Sequence, residues 1–258
     1  MMLAIPSLSI RRGKKIRALA SLLLIAPIVA GCASASDPLV VNDPLETVNR
    51  STHSFNRAVD SSVLRPVANA FAGAEGTGVV GERIGDFADN LGTPADIVNN
   101  VLQMRLGKAA ENTLRFGFNT IFGLGGLFDV ASAAGMPEGK TDFGETLHVW
   151  GVGEGAYLEL PIAGPSTERD TVGLVVDLVI DPLNALPEPE RYVGTAAKIA
   201  SRVGDRGRYS ETVDSVLYDS ADSYAQARIL YLQNRRFELG QTSGEDSFVD
   251  PYEDPYAQ

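Results

Sequence analysis

Hydrophobic and polar positions alternate along most of the chain with a period of three to four residues, the period of an amphipathic α-helix. The first such segment follows Asp43, which is suited to capping a helix, and Pro44, which suits the first helical position. One face of this segment carries Leu45, Val48, Thr52, Phe55 and Val59. The same spacing predicts further helices over residues 65–72, 79–91, 107–122, 191–203, 210–217 and 220–239.

Polar residues mark the starts of two more helices. Thr93 as a cap and Pro94 at the first helical position predict that a helix restarts after residue 91. Ser166 or Thr167 caps a helix predicted over 166–180, with Asp170 in its first turn near the positive end of the helix dipole. Residues 142–165 are dense in glycine and aromatic side chains and predict mostly turns and short extended pieces. The pattern as a whole predicts an all-α protein of short amphipathic helices with few or no strands.

The first thirty residues have the layout of a bacterial export signal. Basic residues between positions 11 and 17 precede an apolar run over 18–30 that is too short to span a membrane. The run ends in VAGC, which resembles the lipobox of bacterial lipoproteins, whose cysteine carries lipid. Because Cys32 is the only cysteine, we predict a lipoprotein signal peptide over 1–31 and lipidation at Cys32; the alternative is a plain secretory signal that happens to end in cysteine. Ala33 resembles the pattern of lipoproteins destined for the outer membrane.

Composition divides the rest of the chain into three parts. A lipidated linker over 32–42 precedes a single helical domain over 43–239. Residues 240–258 are acidic, contain proline and hold few apolar side chains, so they predict a disordered acidic tail. The chain carries 22 Lys and Arg against 33 Asp and Glu, a formal net charge of −11, which argues against nucleic acid as a partner.

The sequence carries no pattern of an enzyme, a metal site or a cofactor site. The stretch GTGVVG at 76–81 matches a dinucleotide-binding spacing, but it follows a predicted helix instead of a strand. His53 and His148 are the only two histidines and lie outside any metal-binding motif, so we interpret both as structural. We find neither a nucleophile elbow nor a phosphate-binding loop. An enzyme that cleaves phospholipids is therefore the weakest functional hypothesis for this sequence.

An apolar, glycine-rich stretch, FNTIFGLGGLFDVASAAG at 118–135, is too broken to cross a membrane and too apolar for an ordinary surface loop. Its glycines allow tight turns, and its single carboxylate either caps the next segment or marks a polar edge. The residues singled out are Gly123, Leu124, Gly125, Gly126, Leu127, Phe128 and Asp129. A packed turn between two helices and a hairpin beside a lipid path both fit this composition.

Several longer motifs resemble the MlaA family, also called VacJ lipoproteins. They are DPLETVNRSTHSFN, RPVANAF, NLGTPADIVNNVLQ, FGFNTIFGLGGLFDVA, DFGETLHVWGVGEGAYLELPIAGPSTERD and YAQARILYLQNRR, in the family's order, from about residue 43 to residue 236. The chain departs from the family pattern at Ala156, where proline is frequent, and at His148, a variable site.

The resemblance implies a fold and a function. The implied fold is a ring of amphipathic helices that lies in one leaflet of the outer membrane and is anchored by lipid from the periplasmic side. A central amphipathic pore would let phospholipids leave the outer leaflet for a soluble periplasmic carrier and then an inner-membrane ABC-type transporter. Trimeric porins are the implied partners.

Within this framework, residues 123–129 are expected to form a hairpin at the mouth of the pore. Trp150, Tyr157, Arg169 and Asp170 are expected in structural or partner-facing roles. Arg169 and Asp170 form either an ion pair at the start of a helix or a contact with a partner. The alternative function is a structural lipoprotein that tethers porins or other envelope components without moving lipid.

Overall fold

The computed structural model describes residues 41–72 and 77–241. The predicted signal peptide, Cys32, most of the linker and nearly all of the acidic tail lie outside the described residues. The described helices are α1 (Glu46–Val59), α2 (Arg65–Ala72), α3 (Thr77–Leu102), α4 (Leu106–Ile121), α5 (Val130–Ala133), α6 (Phe143–Val149), α7 (Glu168–Ile180), α8 (Arg191–Arg208), α9 (Ser210–Asp214) and α10 (Ser223–Glu238). Two π-helical turns (Asp60–Leu64 and Ser215–Asp219) and a 3₁₀ turn (Pro182–Ala185) join some of them.

The all-α prediction is confirmed. Strand structure among the described residues is limited to one antiparallel hairpin of β1 (Tyr157–Leu160) and β2 (Gly164–Thr167). Tyr157 pairs with Thr167 at one end of this hairpin, and Leu160 pairs with Gly164 at the other. The extended pieces expected in this region are therefore present.

Helix α3 is continuous through the position where the sequence predicts a break. The prediction that a new helix starts at Thr93 is wrong, because Pro94 lies inside α3. The hydroxyl of Thr93 donates to the Asp89 carbonyl oxygen at 3.0 Å instead of capping a helix. Pro94 cannot donate a backbone hydrogen bond inside the helix, which destabilises it. Contacts of α3 with α4 and with α8 offset this cost and stabilise the continuous helix.

Small residues bring α3 and α8 close together. A Cβ atom added to Gly85 would lie 3.9 Å from Ser201 Oγ, and one added to Gly204 would lie 4.0 Å from the Gly81 Cα. Such backbone approach is characteristic of helices that pack without long apolar side chains between them. The apolar side chains of both helices are consequently free to point elsewhere.

Helix α1 docks on the hairpin through amide side chains. Asn49 donates to the Tyr157 carbonyl oxygen at 3.0 Å and accepts from the Glu159 N–H at 3.0 Å. Asn56, two turns later, donates to the Leu160 carbonyl oxygen at 2.9 Å and accepts from the Ile162 N–H at 2.7 Å. The polar face of α1 thus binds β1, while the opposite face is exposed.

Three boundary details differ from the sequence-based expectations. The cap predicted at Asp43 is wrong: α1 begins at Glu46 after Leu45, with no side-chain cap. Asp43 instead accepts hydrogen bonds from Asn49, Tyr224 and Arg228, which tie the start of the domain to α10.

The second and third details concern α6 and α8. The prediction of turns after residue 142 is wrong in part, because residues 143–149 form helix α6. Asp142 caps this helix by accepting from the Glu145 N–H at 2.7 Å. Helix α8 runs to Arg208, five residues past its predicted end. The cap at Thr167 is confirmed, since its hydroxyl accepts from the Asp170 N–H at 3.2 Å.

Polar side chains fill much of the interior, and large apolar side chains point outward. Among the described residues that are buried, polar and charged residues outnumber apolar ones. One small apolar cluster comprises Tyr157, Tyr224 and Leu232. None of the helices that the structure describes is both long and apolar enough to cross a bilayer.

Candidate functional site

Residues 123–129, called the glycine turn from here on, connect α4 to α5. Leu124, Gly125 and Gly126 have positive φ angles of 54°, 77° and 98°. Gly123 has no room for a side chain, because an added Cβ would lie 2.2 Å from the Phe128 carbonyl oxygen. The turn closes through the Gly125 N–H, which donates to the Thr120 carbonyl oxygen at 2.9 Å. The segment is therefore a tight turn whose shape requires its glycines.

Apolar side chains project from the glycine turn and from the end of α4. Ile121 is 72% exposed and Leu124 is 69% exposed, and Phe122 and Phe128 are also exposed. The Arg83 guanidinium lies 4.9 Å from the centre of the Phe128 ring, so a charge from α3 borders this apolar surface. The turn consequently presents both apolar and charged groups at one edge of the molecule.

Asp129 fixes the far end of the glycine turn. It caps α5 by accepting from the Ser132 N–H at 3.1 Å, and it binds the Arg115 guanidinium through both oxygens at 3.1 and 3.2 Å. Asn119 donates to the same carboxylate at 3.0 Å. Burial alone would raise the pKa of Asp129, but the bonds from Ser132 and Asn119 and the Arg115 charge lower it to about 2.

A polar cleft lies between α3 and α4, beneath the glycine turn. The polar face of α3 contributes residues spaced three and four apart, and α4 contributes residues with the same spacing. We call this space the α3–α4 cleft. Its lining residues are Asp86, Asp89, Asn90, Thr93, Asp96, Asn112, Arg115, Asn119, Asp129, Glu138, Gly139 and Lys140.

Asn90 connects the α3–α4 cleft to the glycine turn. Its side chain is 3% exposed, and its amide nitrogen donates to Thr120 Oγ1 at 3.1 Å and to the Gly125 carbonyl oxygen at 3.2 Å. A Cβ atom added to Gly126 would lie 2.4 Å from the Asn90 Cβ. The turn therefore rests directly on Asn90, and any side chain at residue 126 would displace one of the two.

Asp96 is the least compensated acid of the cleft. Its carboxylate accepts from the Thr141 N–H at 3.1 Å. Burial raises the pKa of Asp96 to about 7, while the Thr141 hydrogen bond and the Lys140 charge act in the opposite direction. By contrast, Asp86 pairs with Arg83 at 2.8 Å. A carboxyl group that titrates near neutral pH is a feature of many binding sites.

Trp150 and Tyr157 have structural contacts. Trp150 follows α6, is half exposed, and donates from Nε1 to the Leu102 carbonyl oxygen at 3.2 Å. Tyr157 is 1% exposed and donates its hydroxyl to Glu159 at 2.5 Å. Burial and the Glu159 carboxylate raise the pKa of Tyr157 above its ordinary value.

Arg169 and Asp170 form an ion pair at the start of α7, with 3.1 Å between Nε and Oδ1. The Arg169 side chain is fully buried, so this geometry matches the helix-start alternative. Arg235 also binds Asp170 at 3.1 Å, and Tyr231 donates its hydroxyl to Asp170 at 2.9 Å. The Arg235 and Arg169 charges lower the pKa of Asp170 against the effect of its burial.

The two histidines occupy different environments. His53 is buried, with Nδ1 3.4 Å from Glu159 and Nε2 3.1 Å from Ser223 Oγ. His148 lies near the surface, where burial and the Arg169 charge lower its pKa. The described residues contain no group of three or more His, Cys, Asp and Glu side chains placed to hold a metal ion.

Sequence reasoning missed the polar interior that supports the glycine turn. The missed residues are Asn90, Asp96, Asn112, Arg115 and Asn119, all in the α3–α4 cleft. A signal for them was present, because polar residues on both helices recur at spacings of three and four just as the apolar ones do. That pattern indicates two-sided helices but not which side faces inward.

These features define a class of helical protein with polar side chains inside and apolar side chains outside. The family model described as MlaA lipoprotein matches residues 41–238. The chain belongs to this MlaA lipoprotein family, which confirms the resemblance seen in the sequence.

Individual relatives agree with the family assignment. The chain is 33% identical over 245 residues to the intermembrane phospholipid transport system lipoprotein MlaA of Escherichia coli K12, covering 93% of this chain and 94% of that protein. It is 36% identical over 191 residues to an uncharacterised protein of Rickettsia felis, covering 74% and 75% of the two chains. A solved structure described as the structural basis for maintenance of bacterial outer membrane lipid asymmetry matches with a TM-score of 0.66 and 32% identity, covering 76% of this chain and 98% of that one.

Proposed function

We propose that this protein is an outer-membrane lipoprotein of a phospholipid transport system. In this proposal it removes mislocalised phospholipids from the outer leaflet through an amphipathic pore and passes them to a soluble periplasmic carrier. An inner-membrane ABC-type transporter then takes them up, and the outer membrane keeps its lipid asymmetry. The name of the E. coli relative, a lipoprotein of an intermembrane phospholipid transport system, and the subject of the matching solved structure, outer-membrane lipid asymmetry, both support this role.

The observation that carries the proposal is the outward orientation of the apolar side chains. On α1, Val48 and Phe55 are exposed while Asn49 and His53 on the opposite face are buried. Exposing apolar surface to water costs about 25 cal/mol per Å². Hydrocarbon around the helices would remove that cost, so this arrangement favours helices lying in one leaflet of a membrane.

A path for lipid headgroups requires polar groups beside apolar ones, because a headgroup charge is costly to place in hydrocarbon. The α3–α4 cleft is polar, and the glycine turn above it carries the exposed apolar residues Leu124 and Phe128. In the proposed mechanism acyl chains follow these apolar side chains while headgroups follow the polar interior. The glycine turn then lies at the mouth of the pore.

The remaining parts of the proposal concern location and partners. We assign lipid to Cys32, a signal peptide to 1–31, a linker to 32–42, one domain to 43–239 and a disordered acidic tail to 240–258. The lipid anchors the protein to the outer membrane from its periplasmic side, and a trimeric porin is its proposed partner there. The half-exposed Trp150 is a candidate for that contact, since tryptophan is enriched at interfaces.

Lipid movement can be tested in cells that lack their own copy of the protein. Gly125→Val is the test variant: Gly125 has a φ of 77°, and an added Cβ would meet nothing within 4 Å. Gly135→Val is the matched control, because Gly135 has a φ of 81°, equally open surroundings and a place outside the glycine turn. Both substitutions impose similar backbone strain.

The measurement is phospholipid exposed on the cell surface, detected with an enzyme that modifies only outer-leaflet lipid. We expect native protein and Gly135→Val to keep this signal low, and Gly125→Val to raise it at normal protein abundance. If native protein leaves surface phospholipid unchanged while still binding porin, the structural tether becomes the better assignment. If Gly125→Val behaves as Gly135→Val does, the glycine turn has no part in transport.

A further inference from the structure

We propose that the α3–α4 cleft binds the primary ammonium of an ethanolamine phosphodiester, the headgroup chemistry of phosphatidylethanolamine. This inference rests on the proposed function, because it names the headgroup that the lipid path would accept. Asn90, Asp96 and Lys140 carry the argument.

An unused hydrogen-bond acceptor lies in the cleft. The Asn90 amide nitrogen donates to the Gly125 carbonyl oxygen, which can only accept, so the orientation of the amide is fixed. This orientation leaves Oδ1 of Asn90 buried and without a hydrogen-bond partner. A buried carbonyl oxygen without a partner is costly, and a donor brought by a ligand would remove that cost.

A carboxyl group without a cationic partner, that of Asp96, also lines the cleft from α3. Asp129 is bound by Arg115, Asp86 by Arg83 and Asp89 by Lys140. Asp96 forms no such ion pair within the described ranges, and burial holds its pKa near 7. A cation bound beside Asp96 would favour the charged carboxylate.

The size and chemistry of the space favour an ammonium group. The α3–α4 cleft leaves about 20 Å³ for the centre of a water-sized group, which is room for about one such group. A primary ammonium has that size and brings three N–H donors. No metal-binding group of acids and histidines exists among the described residues, so a cation that carries its own donors fits better than a metal ion.

The phosphodiester of the same headgroup has a partner on the open side of the cleft. Lys140 is more than half exposed and lies 3.0 Å from Asp89 and 3.4 Å from Glu138. A phosphate at Lys140 would replace one of these exposed ion pairs, which contribute little. The headgroup would thus lie with its ammonium inside and its phosphate at the surface.

A headgroup bound in the cleft would affect the glycine turn through one residue, Asn90. Asn90 both lines the cleft and holds the Gly125 carbonyl oxygen. A headgroup that binds Asn90 therefore contacts the residue on which the turn rests. Recognition of the headgroup and the position of the turn become linked.

The test uses the full mature protein purified from membranes and placed in nanodiscs of an uncharged carrier lipid. Native mass spectrometry then measures bound phosphatidylethanolamine against phosphatidylglycerol with the same acyl chains. We expect the native protein to prefer phosphatidylethanolamine, and Asp96→Asn to lower that preference about tenfold, the effect of losing one charged hydrogen bond.

The matched control is Asp177→Asn. Asp177 is also a carboxylate whose burial raises its pKa, and it accepts from the Phe143 N–H at 2.9 Å, but it lies outside the cleft. This variant should keep the native preference. A second arm adds soluble glycerophosphoethanolamine, which we expect to displace bound phosphatidylethanolamine, because it carries the same ammonium and phosphodiester. Failure of this compound to compete would overturn recognition of the headgroup by the cleft.

The outcomes separate the ammonium site from the proposed function. Equal binding of the two lipids, or an unchanged preference in a folded, membrane-inserted Asp96→Asn variant, would overturn the ammonium site and leave the proposed function standing. Binding of neither lipid would overturn the proposed function itself. A preference lost equally in Asp96→Asn and Asp177→Asn would show a general effect of charge and also overturn the site.

Discussion

Amide and hydroxyl side chains occupy positions in this protein that apolar side chains hold in most interiors. Gln103 donates to Thr146 Oγ1 at 2.9 Å, and that hydroxyl donates to Asn99 Oδ1 at 2.9 Å. Asn99 in turn donates to Asp177 at 2.9 Å, which connects α3, α6 and α7. Each such bond contributes about 0.5–1.5 kcal/mol net, and a chain of them fixes the relative position of three helices.

The raised pKa of Asp96 predicts a pH-dependent stability. The carboxyl titrates at about 7 in the folded protein against an ordinary 3.8, so folding binds a proton between those values. Stability from this group is therefore present at low pH and lost as the pH rises towards 7. We expect Asp96→Asn to raise the free energy of unfolding at pH 8, by on the order of a few kcal/mol, and to change it little at pH 4.

Chemical denaturation in detergent at several pH values measures this effect. Asp89→Asn is the control, since Asp89 lies on the same helix with a carboxylate that is 47% exposed. It should change the free energy of unfolding by less than about 1 kcal/mol throughout. A constant difference between Asp96→Asn and the native protein from pH 4 to pH 8 would contradict the prediction.

We predict that replacing two adjacent glycines of the glycine turn by alanine lowers the stability of the fold by different amounts. Gly126→Ala places a Cβ 2.4 Å from the Asn90 Cβ, whereas Gly125→Ala meets nothing within 4 Å. Both residues have positive φ, so both variants pay about 1 kcal/mol of backbone strain. We expect Gly126→Ala to lose a further 1–3 kcal/mol, about the cost of overpacking. Thermal unfolding of the two variants side by side is the measurement, and equal melting temperatures would refute it.

At the scale of elements, the two π-helical turns meet at one buried ion network. Arg206 on α8 binds Asp60 of the first π turn at 2.8 Å and Asp214 of α9 at 2.6 Å. Tyr218 of the second π turn donates its hydroxyl to Asp60 at 2.8 Å. Wider helical turns are found mostly where a local constraint requires them, and here the constraint is convergence on Asp60.

We predict that removing Arg206, the central arginine of this network, causes a large loss of stability. Arg206→Met leaves Asp60 buried without its cation, so we expect a loss of about 3–5 kcal/mol. Arg65→Met is the matched control: Arg65 also binds Asp214, at 2.6 Å, but is 41% exposed, and its loss should cost about 1 kcal/mol. Urea unfolding of both variants gives the comparison. Similar losses for both would indicate that burial does not decide the strength of these pairs.

Much of the helical layout could be predicted from the sequence, and its orientation could not. The periodic positions of α1 and the cap at Thr167 follow from local preferences that act within a few residues. The course of α3 through Pro94 depends on packing against two other helices, which no local pattern encodes. The polar α3–α4 cleft was missed for a related reason: an amphipathic pattern has two faces, and the surroundings decide which one is buried.

At the scale of the whole molecule, the proposed membrane location depends on the lipid assigned to Cys32. We expect Cys32→Ser to prevent lipidation, so that the precursor stays uncleaved or bound to the inner membrane. Density-gradient fractionation measures the distribution, with Ser34→Ala as a control that leaves the cysteine intact. Normal outer-membrane banding of Cys32→Ser would exclude the lipidation site.

The docking of α1 on the hairpin also affects how molecules meet one another. A two-stranded sheet leaves a free edge on each strand, and such edges recruit strands from other chains. On β1 the Tyr157 carbonyl oxygen, the Glu159 N–H and the Leu160 carbonyl oxygen are already bound by the amides of Asn49 and Asn56. These groups are therefore unavailable for pairing with a strand of a neighbouring copy, and replacing the two asparagines would expose them to intermolecular sheet growth.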